Sequence, residues 1–236
     1  MPGMTAPLPP FFQFRAETPP LGLADARLVC AGFDHTRLQV DDFQRCAIEP
    51  VRGVAKRQGE YLAGRLCARE ALRQLCGQAL VPGRDEDGVP IWPAGVVGSI
   101  THGAGQAAAV VASNRHWRGL GLDLEKHLSA ERAAKLAGEI LTPAELERAR
   151  NLDPQAFAQR VTLTFSLKES LFKALYPLVL RRFYFHDAEL IGQDDAGGAR
   201  LRLLLDLHGD WPKGSELDGR YAEFDDYLLS LVAVPR

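Results

Sequence analysis

Two short segments of this chain, AAAVVA at 107–112 and LLSLVAV at 228–234, are apolar enough to be inner strands, and each closes a stretch that opens with a long amphipathic helical pattern. From Val54 to Cys76 the positions Tyr61, Leu62, Leu66, Ala68, Leu72 and Leu75 form a broad apolar stripe, with Gly77 as a stop. From Gln155 to Tyr176 the residues Leu163, Leu167, Leu171, Ala174 and Leu175 repeat the helical spacing, which is predicted to end at Pro177. A helix followed by strands, twice in 236 residues, predicts an α+β fold of two similar α+β subdomains in a pseudo-twofold arrangement, residues 1–117 and 118–236. The period is too long for a solenoid, and a cleft between two such halves is a natural ligand site.

Phe11–Phe14 and Leu28–Phe33 are predicted as edge strands or extended arms. Val96–Ile100 and Ala107–Ala112 are predicted as strands, as are Phe183–Leu190, Leu201–Leu207 and Tyr227–Val234, with Gly/Asp-rich turns between the last three. Asp87-Gly88 and the stretch Asn114 to Arg118 carry turn chemistry. Thr142-Pro143-Ala144-Glu145 has the form of a helix start with a capping box and Pro at the first helical position.

The segment Gly119-Leu120-Gly121-Leu122-Asp123-Leu124-Glu125 alternates strictly. In a strand, Leu120, Leu122 and Leu124 face a core while Gly121, Asp123 and Glu125 share the other side. Two neighbouring carboxylates flanked by glycine repel each other unless a cation or basic group holds them, and a hard divalent ion such as Mg²⁺ suits them. An acidic edge strand facing solvent is the competing explanation.

The balance of charge narrows the partners. A formal net charge of −2 provides no global basic field for nucleic acid. No apolar run is long enough to span a bilayer. The N-terminal MPGMTAPLPPFFQF lacks the basic and long apolar regions of a secretory signal, so a cytoplasmic location is expected. Cys30, Cys46, Cys67 and Cys76 form no CxxC pair and no metal-ligand spacing with the histidines, which predicts reduced thiols.

Three further segments carry chemistry. Arg57 and Arg65 lie a little over two helical turns apart on one helix face, and Arg84 follows in a loop; guanidinium groups suit bidentate phosphate binding. Gly98-Ser99-Ile100-Thr101-His102-Gly103 ends a strand in hydroxyls, an imidazole and glycine, a turn able to bind phosphate. In Phe165-Ser166-Leu167-Lys168-Glu169-Ser170-Leu171-Phe172-Lys173-Ala174, Glu169 and Lys173 share a helix face at i, i+4. Lys168 sits about 100° from Glu169, so both are expected to border one cleft. A solvated Glu169–Lys173 ion pair and an ordinary basic helix surface are the alternatives.

In order, Arg57…Ala63-Gly64-Arg65, Pro90-Ile91-Trp92-Pro93, Gly98-Ser99-Ile100-Thr101-His102, Gly121-Leu122-Asp123-Leu124-Glu125 and the Phe165–Ala174 segment resemble a 4′-phosphopantetheinyl transferase of the two-domain Sfp/EntD type, nearer its EntD branch. The resemblance covers roughly Val54 to Tyr176, and its specific part is the pair G-x-D-x-E and K-E-S-x-x-K-A in that order. It implies that fold, a coenzyme A-binding N-terminal half and a metal-binding, catalytic C-terminal half. It also implies Mg²⁺-dependent transfer of phosphopantetheine from coenzyme A to a serine of an apo acyl or peptidyl carrier protein, with release of 3′,5′-ADP. Carried over residue by residue, it gives Asp123, Glu125 and Glu169 to the metal. It gives Arg57, Arg65, Arg84, Thr101 and His102 to coenzyme A phosphates, and Lys168 and Lys173 to the pyrophosphate and leaving group. Glu169 becomes the acceptor of the serine proton, directly or through a water; because a metal-bound carboxylate is a poor base, a metal-bound water or another residue is an alternative. Val89 stands where some relatives carry a basic residue, and Phe165 where relatives often have Trp. A basic stretch with Arg132, Lys135, Arg148, Arg150 and Arg160 is a possible docking surface for an acidic carrier, with solvated helices as the alternative. A monomer is expected by analogy. The competing functions are a non-catalytic coenzyme A-binding regulatory module and another Mg²⁺-dependent phosphotransferase or nuclease, the latter weakened by the absence of a basic run.

Overall fold

The computed structural model describes residues 8–236. In chain order the elements are β1 (Phe12–Phe14), β2 (Ala26–Phe33), α1 (Asp42–Arg45), α2 (Ala55–Cys76), β3 (Gly83–Arg84), β4 (Pro90–Ile91), β5 (Val96–Gly103), β6 (Gln106–Ser113) and β7 (Trp117–Lys126). They continue with α3 (Ala130–Ile140), α4 (Pro143–Ala149), α5 (Pro154–Val179), β8 (Ala188–Gln193), β9 (Gly198–Leu203), β10 (Glu216–Phe224) and β11 (Tyr227–Pro235).

One sheet has the order β1-β2-β6-β5 and the other β7-β11-β10-β9-β8. The repeat expected from the sequence is visible in these orders. In each half an opening strand (β2 or β7) leads to a long helix (α2 or α5) and then to a hairpin whose last strand (β6 or β11) pairs antiparallel with the opening strand. The two sheets meet through Leu28, Cys30, Ala108 and Val110 on one side and Leu120, Leu122, Leu124 and Leu229 on the other. The opposite face of the first sheet, with Val29, Ala31, Ala107, Ala109 and Val111, receives α2 through Leu62, Leu66, Cys67 and Leu72. Full burial of such aliphatic side chains contributes about 1.5–3 kcal/mol each. Helix α2 ends where predicted, with Gly77 in the left-handed region at φ 74° and its N–H donating to Arg73 O.

Strands β5 and β7 lie edge to edge without a backbone ladder. Side-chain hydroxyls replace the missing carbonyls: Leu122 N–H donates to Ser99 Oγ at 2.9 Å and Leu124 N–H to Thr101 Oγ1 at 3.2 Å. Buried backbone donors are thereby satisfied where the two halves join.

Leu120, Leu122 and Leu124 face the inter-sheet core as expected, but the other face of β7 is not a free surface. It is covered by α5, and the glycines serve that approach. A Cβ at Gly121 would lie 1.8 Å from Ser170 O and 2.6 Å from Ala174 N, and one at Gly119 would lie 2.5 Å from Ala174 O. Gly121→Ala is therefore expected to push helix and strand apart and cost about 3 kcal/mol or more, at the upper end for overpacking. A denaturation midpoint equal to wild type would refute this.

Other sequence expectations need correction. Helix α5 runs through Pro177 to Val179. In its last turn Pro177 forfeits only its own N–H bond, while buried Leu171, Ala174 and Leu175 hold the helix in place. The stretch predicted as one strand from Phe183 forms a 3₁₀ turn at Phe185–Asp187 before β8, and β9 ends at Leu203 rather than Leu207. Strand β10 lies where the sequence predicts turn; its alternation is obscured by Gly219, where a Cβ would lie 2.9 Å from Leu167 Cδ2. The capping box of α4 is present, with Thr142 Oγ1 accepting from Glu145 N–H at 3.2 Å and Glu145 Oε2 accepting from Thr142 N–H at 2.7 Å. The four cysteines are free, three of them buried. Among the described residues no helix is long and apolar enough to cross a membrane.

Candidate active site

A cleft of about 420 Å³ opens between the halves, walled by α2, the β3–β4 hairpin, β5, the start of β7 and the second half of α5. Its charged lining is lopsided. Arg57, Arg65, Arg84, Arg118, Lys173 and Arg182 face it, together with His102, while Asp87 is the one carboxylate among the described residues that line it. Such a concentration of fixed cations in a concave site attracts a multiply charged anion, and guanidinium groups favour phosphate.

Arg57 and Arg65 come from one face of α2, as their spacing predicted, and Arg84 is brought in by the β3–β4 hairpin. Arg65 is 4% exposed, and among the described residues its Nε and Nη1 have no hydrogen-bond partner. Gly64 lets α2 approach β5: a Cβ there would lie 2.8 Å from Ile100 Cγ2 and 3.6 Å from His102 Cδ2. His102 lies beside Glu60, with Nδ1 to Oε2 at 3.9 Å. Burial holds its pKa down, Glu60 opposes this, and Lys173 and Arg57 add to the depression.

Lys173 joins the cleft to the acidic strand. Its Nζ donates to Asp123 Oδ1 at 2.6 Å and to Leu122 O at 3.1 Å. Asp123 is 3% exposed, and its Oδ2 accepts from Ser166 Oγ at 2.9 Å. Ser166, Ser230 and Ser170 continue as a chain of buried hydroxyls, with both Oγ–Oγ separations at 2.8 Å. Glu125 and Glu169 belong to the same electrostatic group. Burial first and then the neighbouring Asp123 push Glu125 up to about 7, with Glu169 contributing further. Burial also raises Glu169, with Asp123 adding to it and Lys173 opposing.

The predicted site residues thus divide. Arg57, Arg65, Arg84, His102 and Lys173 line one cleft, and Asp123, Glu125 and Glu169 sit within one another's field at the Lys173 end. Two residues do not go where they were expected. Thr101 is buried and its hydroxyl is used by Leu124 N–H and by Asp123 at 3.4 Å, so it braces the acidic strand instead of facing the cleft. Lys168 points to the opposite side of α5, where its Nζ donates to Glu145 Oε2 at 2.7 Å, Phe185 O at 2.8 Å and Ile140 O at 2.9 Å. It pins α5 to α3 and α4 and does not border the cleft. The three carboxylates do not form a ready ligand set either. Among the described residues no group of three or more His, Cys, Asp or Glu side chains is close enough to hold a metal ion as it stands. One Asp123 oxygen is occupied by Lys173.

Sequence reasoning missed Ser166, although 166, 170 and 173 are spaced i, i+4, i+7 and so face β7 together. It also missed Arg118, Arg182, Asp87 and Tyr176. Asp87 accepts from Tyr176 Oη at 3.1 Å and lies 3.7 Å from Arg182, linking the hairpin loop to the end of α5 across the cleft mouth. These are single residues at element ends, and no spacing announces them. The basic stretch read as a docking surface is largely neutralised: Lys135 pairs with Glu131, Arg148 with Glu189 and Arg150 with Glu147.

Comparison with known proteins agrees with this geometry. Residues 49–112 match the 4′-phosphopantetheinyl transferase N-terminal domain family, and residues 119–232 match the 4′-phosphopantetheinyl transferase superfamily. The chain is 32% identical over 191 residues to the 4′-phosphopantetheinyl transferase Npt of Nocardia iowensis, covering 77% of this chain and 84% of that protein. It is 37% identical over 202 residues to the 4′-phosphopantetheinyl transferase Svp of Streptomyces mobaraensis, covering 81% and 78% respectively. It is 45% identical over 119 residues to the enterobactin synthase component D of Escherichia coli O157:H7, covering 50% of this chain and 55% of that protein. The chain belongs to the 4′-phosphopantetheinyl transferases, of the Sfp/EntD type.

Proposed function

We propose that this transferase moves 4′-phosphopantetheine from coenzyme A to a serine of an apo acyl or peptidyl carrier protein in a Mg²⁺-dependent reaction. In this proposal the protein acts as a cytoplasmic monomer, with residues 1–117 binding coenzyme A and 118–236 supplying the catalytic groups. One observation carries it: a cleft lined by six cationic side chains ends at the Asp123–Lys173 pair. Phosphates at one end and a carboxylate group at the other are what transfer from a pyrophosphate requires.

In this reading Arg57, Arg65, Arg84 and His102 hold the phosphates of coenzyme A, including the 3′-phosphate. Lys173 stands where it neutralises charge on the pyrophosphate. The serine oxygen attacks the phosphorus that bears the pantetheine arm. The bond from that phosphorus to the bridging oxygen breaks, and 3′,5′-ADP leaves with its electron pair. Glu169 takes the serine proton, directly or through a water. Asp123, Glu125 and Glu169 are oxygen donors of the kind a hard divalent cation takes, and drawn together they would hold Mg²⁺ beside Lys173. When bound there, Mg²⁺ would supply charge neutralisation for the pyrophosphate.

The test is incubation with apo carrier protein, coenzyme A and Mg²⁺, read by intact mass. The expected result is a carrier heavier by one phosphopantetheine group, lost with chelator and restored by Mg²⁺. Coenzyme A binding with no mass gain on any of a panel of carriers would favour the non-catalytic module. Arg57→Ala is expected to raise KM for coenzyme A by about ten-fold, the scale of one charge-assisted contact, and to raise that for dephospho-coenzyme A less. Equal effects on both substrates would remove Arg57 from the 3′-phosphate.

A further inference from the structure

We infer that Tyr61 is a positioning residue for the cleft's arginines, its ring holding Arg65 and Arg84 ready for phosphate without cancelling their charge. The inference rests on the reading that this cleft takes coenzyme A. Arg57, Tyr61 and Arg65 follow one another at intervals of four along α2, so all three present on one face. The guanidinium carbon of Arg65 lies 5.0 Å from the centroid of the Tyr61 ring, and that of Arg84 lies 5.7 Å from it. One ring therefore serves two cations that come from different elements.

A buried arginine needs something to hold it. Arg65 is almost wholly removed from water, and among the described residues two of its nitrogens have no partner. An uncompensated cation in that position is costly. Two guanidinium groups sharing a small volume also repel each other, and a side chain as flexible as that of Arg84 would swing out to solvent. A carboxylate between them would fix both, but it would also offset the positive charge that the incoming phosphate needs. An aromatic face attracts cations through its quadrupole and carries no net charge. Tyr61 thus keeps the pair in place without cancelling the positive charge that both guanidinium groups bring to the cleft. The ring face makes these contacts, so phenylalanine should replace tyrosine and an aliphatic residue should not.

The experiment measures equilibrium binding of coenzyme A by calorimetry, and steady-state transfer, for the full chain carrying Tyr61→Leu, Tyr61→Phe, Arg65→Ala and Tyr61→Leu in an Arg65→Ala/Arg84→Ala background. Tyr61→Leu is expected to weaken coenzyme A binding and raise its KM by about ten-fold, with kcat within about two-fold of wild type. Tyr61→Phe should keep the wild-type affinity, and Tyr61→Leu should cost nothing more once both arginines are gone. Should leucine impair folding, Tyr61→Met repeats the test with a larger side chain. Wild-type affinity in the aliphatic variants, equal damage from Tyr61→Phe, or an undiminished penalty in the double-alanine background would each overturn the role of Tyr61. An Arg65→Ala variant that binds coenzyme A like wild type would instead overturn the reading of the cleft itself.

Discussion

Replacing Lys168 with methionine is expected to lower stability by about 3–5 kcal/mol while leaving the specific activity of the folded protein within a few-fold of wild type. Lys168 is 3% exposed, and its ammonium group donates to one carboxylate and two backbone carbonyls. Burial pushes its pKa down, and Glu145 opposes that shift. Removing it strands Glu145, also buried, as an uncompensated anion and leaves Ile140 O and Phe185 O without this donor. For a chain of this length the loss corresponds to a fall in Tm of roughly ten degrees. Adding Glu145→Gln should recover part of it: the stranded charge goes, and an amide oxygen remains to accept from either Thr142 N–H or Leu190 N–H, the two donors Glu145 now serves. Thermal melts of the single and double variants, with transfer measured well below either midpoint, separate this from a role at the pyrophosphate. A stable Lys168→Met protein with no activity would return Lys168 to the cleft.

The contrast between Lys168 and Lys173 shows where the sequence was sufficient. Five residues on a helix amount to about 140° of rotation, so the two lysines cannot share a site once one face of α5 is fixed. What fixes that face is Gly119 and Gly121, which bring the helix onto β7. The alternation of β7 revealed which residues were paired on each side, but not that its second face would be covered by a helix. Period-two patterning reports two faces and says nothing of what lies on them. Strand β10 escaped because Gly219 breaks its pattern at the point where Leu167 presses on it. The repeat of helix and hairpin, the capping box of α4 and the arginine face of α2 were all legible, because each is a local spacing. Arg118, Arg182 and the Asp87–Tyr176 contact depend on how distant pieces of chain meet. The pairing of Lys135 with Glu131 and of Arg150 with Glu147 was available from their spacing on single helices, and it weakens a docking surface built on those charges.

Asp123→Asn is expected to reduce transfer by about 10²–10³-fold at saturating coenzyme A and carrier, the scale of losing one preorganised electrostatic group. For a carboxylate on an open surface, alanine is the ordinary replacement. The structure makes it a poor one, since Asp123 is buried and holds both Lys173 and Ser166. Truncation there would leave a cation and a hydroxyl without their partner and confound activity with folding. Asparagine preserves shape and keeps one oxygen, so it removes the charge at a stability cost of about 1–3 kcal/mol. Lys173, released from its ion pair, would keep its bond to Leu122 O and stay near the cleft. The loss should therefore appear in kcat, with coenzyme A affinity little changed and a higher Mg²⁺ concentration needed for half-maximal rate. Transfer followed by intact mass across a Mg²⁺ series, beside a denaturant titration, tests both parts. If Asp123→Asn transferred phosphopantetheine at close to the wild-type rate, the carboxylate would be only the structural partner of Lys173, and the catalytic charge would have to reside in Glu125 and Glu169.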